Sequence, residues 1–135
     1  MSAVTYIPIG LSSPFTLLGG LCDPSDVAQW CLEQGVPAVG FMDQDNLFGA
    51  VQITQKLKDK GVQPLVGMTL ALKRADLPER GGWYPPDRIC LIVQNQTGWL
   101  NLLKIASAAY LDIPPDQPPQ VGWELIARHH EGLLL

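Results

Sequence analysis

Two kinds of apolar pattern take turns along this chain. Ala38-Val39-Gly40-Phe41-Met42 and Ile89-Cys90-Leu91-Ile92-Val93 are unbroken apolar runs bounded by turn-forming residues. Such runs predict strands covered on both faces, as in parallel sheets. Between them, apolar residues recur at helical spacing. Val27, Trp30 and Cys31, with Leu32 beside them, form one such stripe. Its punctuation agrees: Asp23 can cap, Pro24 suits the first helical position, Asp26 favours the positive end of the dipole, and Gly35 stops the helix.

The same reasoning predicts a second helix from Asn46 or Leu47 to Lys60, stopped by Gly61. A third runs from Thr97 to Leu111, capped near Asn95 to Thr97, and a short fourth from Trp123 to His129. Strands are expected over Thr5–Leu11, Ala38–Met42, Leu65–Leu72 and Arg88–Gln94, and starting at Gly132. Pro8 confines the first of these to an edge or terminal position. Ser12–Gly20 reads as a loop or short helical turn. The Gly- and Pro-rich stretch Ala75–Asp87 and the four prolines in Asp112–Gln120 mark loops. Strands alternating with helices predict an α/β fold with a mostly parallel sheet or barrel. Leu133-Leu134-Leu135 looks like a strand start with no turn after it. The expectation is a C-terminally truncated piece of a longer domain, or a last strand that is unpaired within the chain and supports self-association.

At 135 residues the chain suits one compact domain, burying roughly two-thirds of its unfolded surface. A 47% hydrophobic and 16% charged composition supplies a core and argues against disorder. A formal charge of -4 argues against a broad phosphate-binding face, so weak or no direct nucleic-acid binding is expected. The cluster Lys56-Leu57-Lys58-Asp59-Lys60 ends a predicted helix, where it complements the dipole. Cys22, Cys31 and Cys90 lack metal-like spacing and suit free thiols in a reducing compartment. No basic-then-apolar leader and no run of membrane-spanning length is present, which reads as cytoplasmic with no membrane partner.

The candidate chemistry sits at Asp43, directly behind the run 38–42. Carboxylates at the C-terminal ends of strands are where α/β folds place their chemistry. The following residues, Asp43-Gln44-Asp45-Asn46-Leu47-Phe48-Gly49-Ala50-Val51, carry a resemblance. They are similar to Asp-His-Gly-Asn-Leu-Phe-Gly-Ala-Val of the PHP (polymerase and histidinol phosphatase) domain at the N-terminus of bacterial DNA polymerase III alpha subunits. Further pieces follow the family in order. Ser13-Pro14-Phe15-Thr16-Leu17-Leu18-Gly19-Gly20 resembles its Ser-x-aromatic-Ser-Leu-Leu-Asp-Gly segment, and Gly35-Val36-Pro37-Ala38-Val39 its Gly-Met-Pro-Ala-Val strand entry. Pro64-Leu65-Val66-Gly67 resembles Pro-Ile-Ile-Gly. Asn101-Leu102-Leu103-Lys104 with Ala109-Tyr110-Leu111 matches a later helix, and His129-His130-Glu131-Gly132-Leu133 a final strand entry. The resemblance runs from about Tyr6 to Leu135.

It implies an α/β fold: the first half of a PHP-type β/α barrel, TIM-like and seven-stranded, with mostly parallel strands. It also implies a parent chain that is a DNA-directed DNA polymerase. This segment would brace the rest of the alpha subunit and could host the proofreading exonuclease subunit. Active members hold metal ions with histidines and carboxylates at strand ends. Here the His-x-His positions are Gly10 and Ser12, and an upstream position often held by histidine is Pro8. Asp43 is kept, but Gln44 replaces the histidine after it and Thr69 replaces a later carboxylate. A divalent ion needs several converging imidazole or carboxylate ligands. The expected outcome is a degenerate site with no metal cofactor and no catalytic residue in this segment.

Two alternatives remain: an active metal-dependent phosphoesterase or 3′-5′ exonuclease of the same family, with a divalent metal at Asp43, and a stand-alone interaction domain. Without a metal, Asp43 and Asp45 read as helix or turn caps ahead of Asn46-Leu47. His129 and His130 read as complements to a helix C-terminus. Trp30, Trp99 and Trp123 read as core or interface packing. Ser12-Ser13 reads as a hydroxyl turn rather than a nucleophile, with no histidine base nearby. Trp83-Tyr84, in the Gly/Pro loop, is the candidate partner contact.

Overall fold

The computed structural model describes residues 6–73 and 86–135, so Trp83 and Tyr84 lie outside the described residues. The described elements are α1 (Pro24–Gln34), β1 (Ala38–Gln44), α2 (Ala50–Asp59), β2 (Gln63–Leu72), β3 (Asp87–Val93), α3 (Gln96–Leu111), α4 (Trp123–Arg128) and β4 (Leu133–Leu134). Among the described residues the strands form one four-stranded sheet in the order β1-β2-β3-β4. The fold is mixed α/β. The chain divides into two compact units, residues 1–68 and 69–135.

In the first unit, α1 starts as its sequence demands. The Asp23 side chain accepts the Ser25 N–H at 2.7 Å, and Gly35 closes the helix at φ 67°. That backbone bond is the first reason the Asp23 carboxyl lies below its ordinary value of 3.8; desolvation opposes it, and the Ser25 side chain and then Lys56, 3.8 Å away on α2, add to the lowering. A depressed folded pKa stabilises above the unfolded value, and the contribution is lost as pH falls through the folded one. Asn caps as well as Asp but does not titrate. Asp23→Asn should therefore leave neutral-pH stability nearly unchanged and flatten the acid limb of a Tm-against-pH profile.

The core of this unit is formed by Ala28 and Cys31 of α1, Val39 and Phe41 of β1, Ile53 and Leu57 of α2, and Val62. Leu11, Cys22, Val27 and Val36 pack against it. Over the described residues 6–11, the strand expected at Thr5–Leu11 shrinks to one parallel bridge, Leu11 to Phe41. The Leu11 N–H donates to the Gly40 carbonyl at 3.0 Å, and the Met42 N–H to the Leu11 carbonyl at 2.8 Å. Pro8 has no N–H to give, and Gly10 turns to φ 93°, which a regular ladder does not accommodate.

In the second unit α3 packs on β3 and β4. Its N-cap is Asn95, whose side chain accepts the Gly98 N–H at 3.0 Å. The buried Asn101 amide donates to the Glu131 carbonyl at 2.9 Å, fixing the turn before β4. β4 is paired within the chain, correcting the expectation of an unpaired last strand: Leu134 faces Ile92 and Leu133 faces Val93. That pairing is antiparallel, against the parallel pattern that strand–helix alternation suggested. A parallel neighbour is reached through one crossover connection, usually a helix. Here α3, a bridge of Val121 to Leu72, and then α4 all intervene, and the extra pass returns the chain against β3.

Candidate functional site

The C-terminal end of β1 carries Asp43 into the protein rather than out to solvent; the residue is 4% exposed. Both oxygens are occupied. Oδ1 accepts the Ser13 N–H and the Thr16 hydroxyl, each at 2.7 Å, and Oδ2 accepts the Ser13 hydroxyl at 2.7 Å. Ser13 and Thr16 are themselves buried. Each hydroxyl also accepts a backbone N–H: Phe15 on Ser13 Oγ at 3.2 Å, and Gln44 on Thr16 Oγ1 at 3.1 Å. Asp43 therefore does not cap the turn that follows it. It ties the 13–16 loop to β1 across roughly thirty residues of sequence.

The turn after Asp43 is organised by Asn46. Its amide donates to the Phe15 carbonyl at 3.0 Å and to the Gln44 carbonyl at 2.9 Å, and its Oδ1 accepts the Phe48 N–H at 3.1 Å. Gly49 is needed because a Cβ there would lie 2.6 Å from the Phe15 ring and 2.8 Å from Ile53. The Asn-Leu-Phe-Gly motif thus clamps two loops together. The recess beside Asp43, lined by Phe41, Asn46, Leu47, Ala50, Ile53 and the 65–67 stretch, measures about 10 Å³. That is room for no more than about one water molecule.

The other predicted positions add little to a metal shell. Gly10 is exposed, Ser12 is half-buried beside the Leu11 bridge, and the Gln44 side chain is exposed. Thr69 belongs to the second unit, where its side chain hydrogen-bonds Cys90. Among the described residues, no three His, Cys, Asp or Glu side chains converge as a metal cluster. His129 is the C-cap of α4, and a His130 ring nitrogen lies 2.7 Å from the Ala127 carbonyl. The three cysteines are free, and burial pushes the Cys31 and Cys90 thiols up, away from the nucleophilic thiolate.

Trp30 and Trp123 are exposed rather than core residues, and Trp99 is half-buried. Sequence reasoning also missed an apolar rim at this end of β1. Leu17, Leu18, Leu21 and Phe48 all stand out in solvent, Phe48 at 77%. Leu18 does so from a left-handed backbone, φ 62°. The signal was present in the sequence: residues 11–22 contain no charge and several large apolar side chains. No helix among the described residues is long and apolar enough to cross a membrane.

Comparison with known proteins fits this geometry. The PHP domain model matches residues 11–135. The DNA polymerase III subunit alpha of Caulobacter vibrioides is 33% identical over 130 residues, covering 96% of this chain and 11% of that protein. The subunit alpha of Thermus aquaticus is 30% identical over 142 residues, covering 98% of this chain and 11% of its own length. The chain thus spans about a ninth of these curated relatives. Among solved structures, a Bifidobacterium adolescentis protein assigned as a metal-dependent phosphoesterase superposes with a TM-score of 0.51 at 14% identity, over 79% of this chain and 35% of the other. That likeness concerns the fold. With the Asn46–Gly49 clamp, the strand-end aspartate and a family match over nearly its whole length, this chain belongs to the PHP domain family.

Proposed function

We propose that this chain acts as the N-terminal PHP segment of a cytoplasmic replicative DNA polymerase III alpha subunit, with a degenerate metal site and a structural, partner-binding role. The observation that carries the reading is the saturated Asp43: its oxygens already face three donors, all at 2.7 Å. The neighbouring Gly10, Ser12 and Gln44 offer no imidazole or carboxylate in its place. This donor set does not fit a divalent ion. The uncharged rim of Leu17, Leu18, Leu21 and Phe48 supports a surface that is covered by protein. The remainder of the alpha subunit and the proofreading exonuclease subunit are the partners this reading implies.

The test is metal content together with nuclease activity. Purified chain should hold far less than one equivalent of Zn, Mn or Fe by mass spectrometry. It should also release no 3′-terminal nucleotide from labelled DNA with Mn²⁺ or Zn²⁺ added. Stoichiometric metal accompanied by 3′ hydrolysis would overturn the reading and support the alternative of an active metal-dependent phosphoesterase or 3′-5′ exonuclease.

A further inference from the structure

α3 has two apolar faces, and the described fold covers one of them. Gly98, Asn101, Leu102, Ile105 and Ala109 are buried where the helix packs on β3 and β4. Leu100, Leu103, Tyr110 and Leu111 stand exposed on the opposite face. Leu100, Leu103, Ser107 and Tyr110 follow one another at intervals of three, four and three residues. With that spacing one helix presents a seam to another, and the side chains of each fill holes in the other. Ser107 is the small member of the seam. Its hydroxyl is turned back onto the Leu103 carbonyl at 2.9 Å, so it offers a gap without a proton left to satisfy. Leu100, Leu103, Lys104 and Ser107 line an open recess of about 520 Å³, room for side chains from outside and far more than one water needs.

The charge on this face says what it fits. Lys104 is the only charged residue in α3, it borders the seam, and among the described residues no carboxylate pairs with it. Asp112 follows the helix, beyond the stripe. Charged residues that border a seam choose the partner helix through ion pairs. A second copy fits badly. Two α3 helices paired along the seam, parallel or antiparallel, bring Lys104 within about one turn of its own copy, and like charges there repel. We propose that the outer face of α3 seats an amphipathic helix of a partner protein, with an apolar side chain in the Ser107 gap and a Glu or Asp beside the seam pairing with Lys104. This gives the partner-binding role a surface and a partner chemistry. It rests on that role and is independent of what the Asp43 site holds.

The test uses the full chain and two dye-labelled peptides of about three heptads, both with Leu at the seam positions, one with Glu and the other with Lys at the flanking positions. In fluorescence anisotropy at low salt the Glu peptide should bind at least about tenfold more tightly than the Lys peptide. Lys104→Glu should reverse that order. Leu103→Gln is an exposed change to a good helix former. It should weaken Glu-peptide binding about tenfold or more and leave Tm within about 2 °C of the parent. Equal binding of the two peptides, no binding of either at about 1 mM, or Glu-peptide binding untouched by Leu103→Gln would overturn the proposal. So would a dimer in light scattering that Leu103→Gln dissolves, since a second copy would then be the occupant. Each of these outcomes leaves the degenerate-site reading, which the metal measurement decides separately, as it stands.

Discussion

Gly98→Ala is expected to cost the second unit about 3 kcal/mol, the upper end for overpacking, because a clash with backbone has no flexible side chain to absorb it. A Cβ on Gly98 would fall on the carbonyl of Gly132, with the Gly132 Cα only 3.2 Å away. Gly132 cannot retreat freely. It sits at φ 75°, and its own pro-Cβ direction runs into the Asn95 side chain. Its carbonyl accepts the Gln94 N–H at 2.9 Å. Moving it would loosen the β3 end, the α3 cap and the entry to β4 together. In urea the midpoint should fall by on the order of 1–2 M for a typical slope. Gly122→Ala is the matched control, since its Cβ meets nothing within 4 Å. That variant should lose less than about 1 kcal/mol, the scale of a changed N-cap. Equal effects at the two glycines would show that close backbone approach is not what position 98 requires.

Leu57→Ala should be the largest core effect in the first unit, at about 2–5 kcal/mol. Leu57 is fully buried among residues of α1, β1 and α2. Its backbone carbonyl also accepts the Val62 N–H at 3.0 Å, so the helix end and the turn into β2 depend on its placement. Truncation leaves a cavity that surrounding residues on three different elements cannot close together. Leu57→Met keeps the volume and should cost less than about 1.5 kcal/mol. Circular dichroism during urea unfolding separates the two variants. A loss for Leu57→Ala no greater than for Leu57→Met would mean the site collapses around the missing atoms.

Local chemistry was the legible part of this fold. Asp23, Pro24 and Gly35 mark α1 to the residue because caps and breakers act within one turn of the helix. The start of α2 was misplaced by a few residues for a related reason. Asn46 has the chemistry of a cap, but its amide donates to Phe15 and Gln44, its Oδ1 accepts the Phe48 N–H inside the turn, and the helix begins at Ala50 without a side-chain cap. Asp43 was legible as a special position and its partners were not. Ser13 and Thr16 lie about thirty residues away, and no periodicity links a loop hydroxyl to a strand-end carboxylate. The β4 orientation was hidden likewise, since it depends on how many passes the chain makes between Val93 and Leu133.

Leu18 has a thermodynamic consequence for the free chain. A leucine in the left-handed region gives up roughly 1–3 kcal/mol, and here it recovers nothing by burial. Folding of the isolated chain would be served better by glycine at that position. Under the partner-binding role, any surface that covers Leu18 adds its binding free energy to the folded state alone. The stability measured for the chain by itself is then a lower bound, and it should rise with the concentration of the partner that completes the loop.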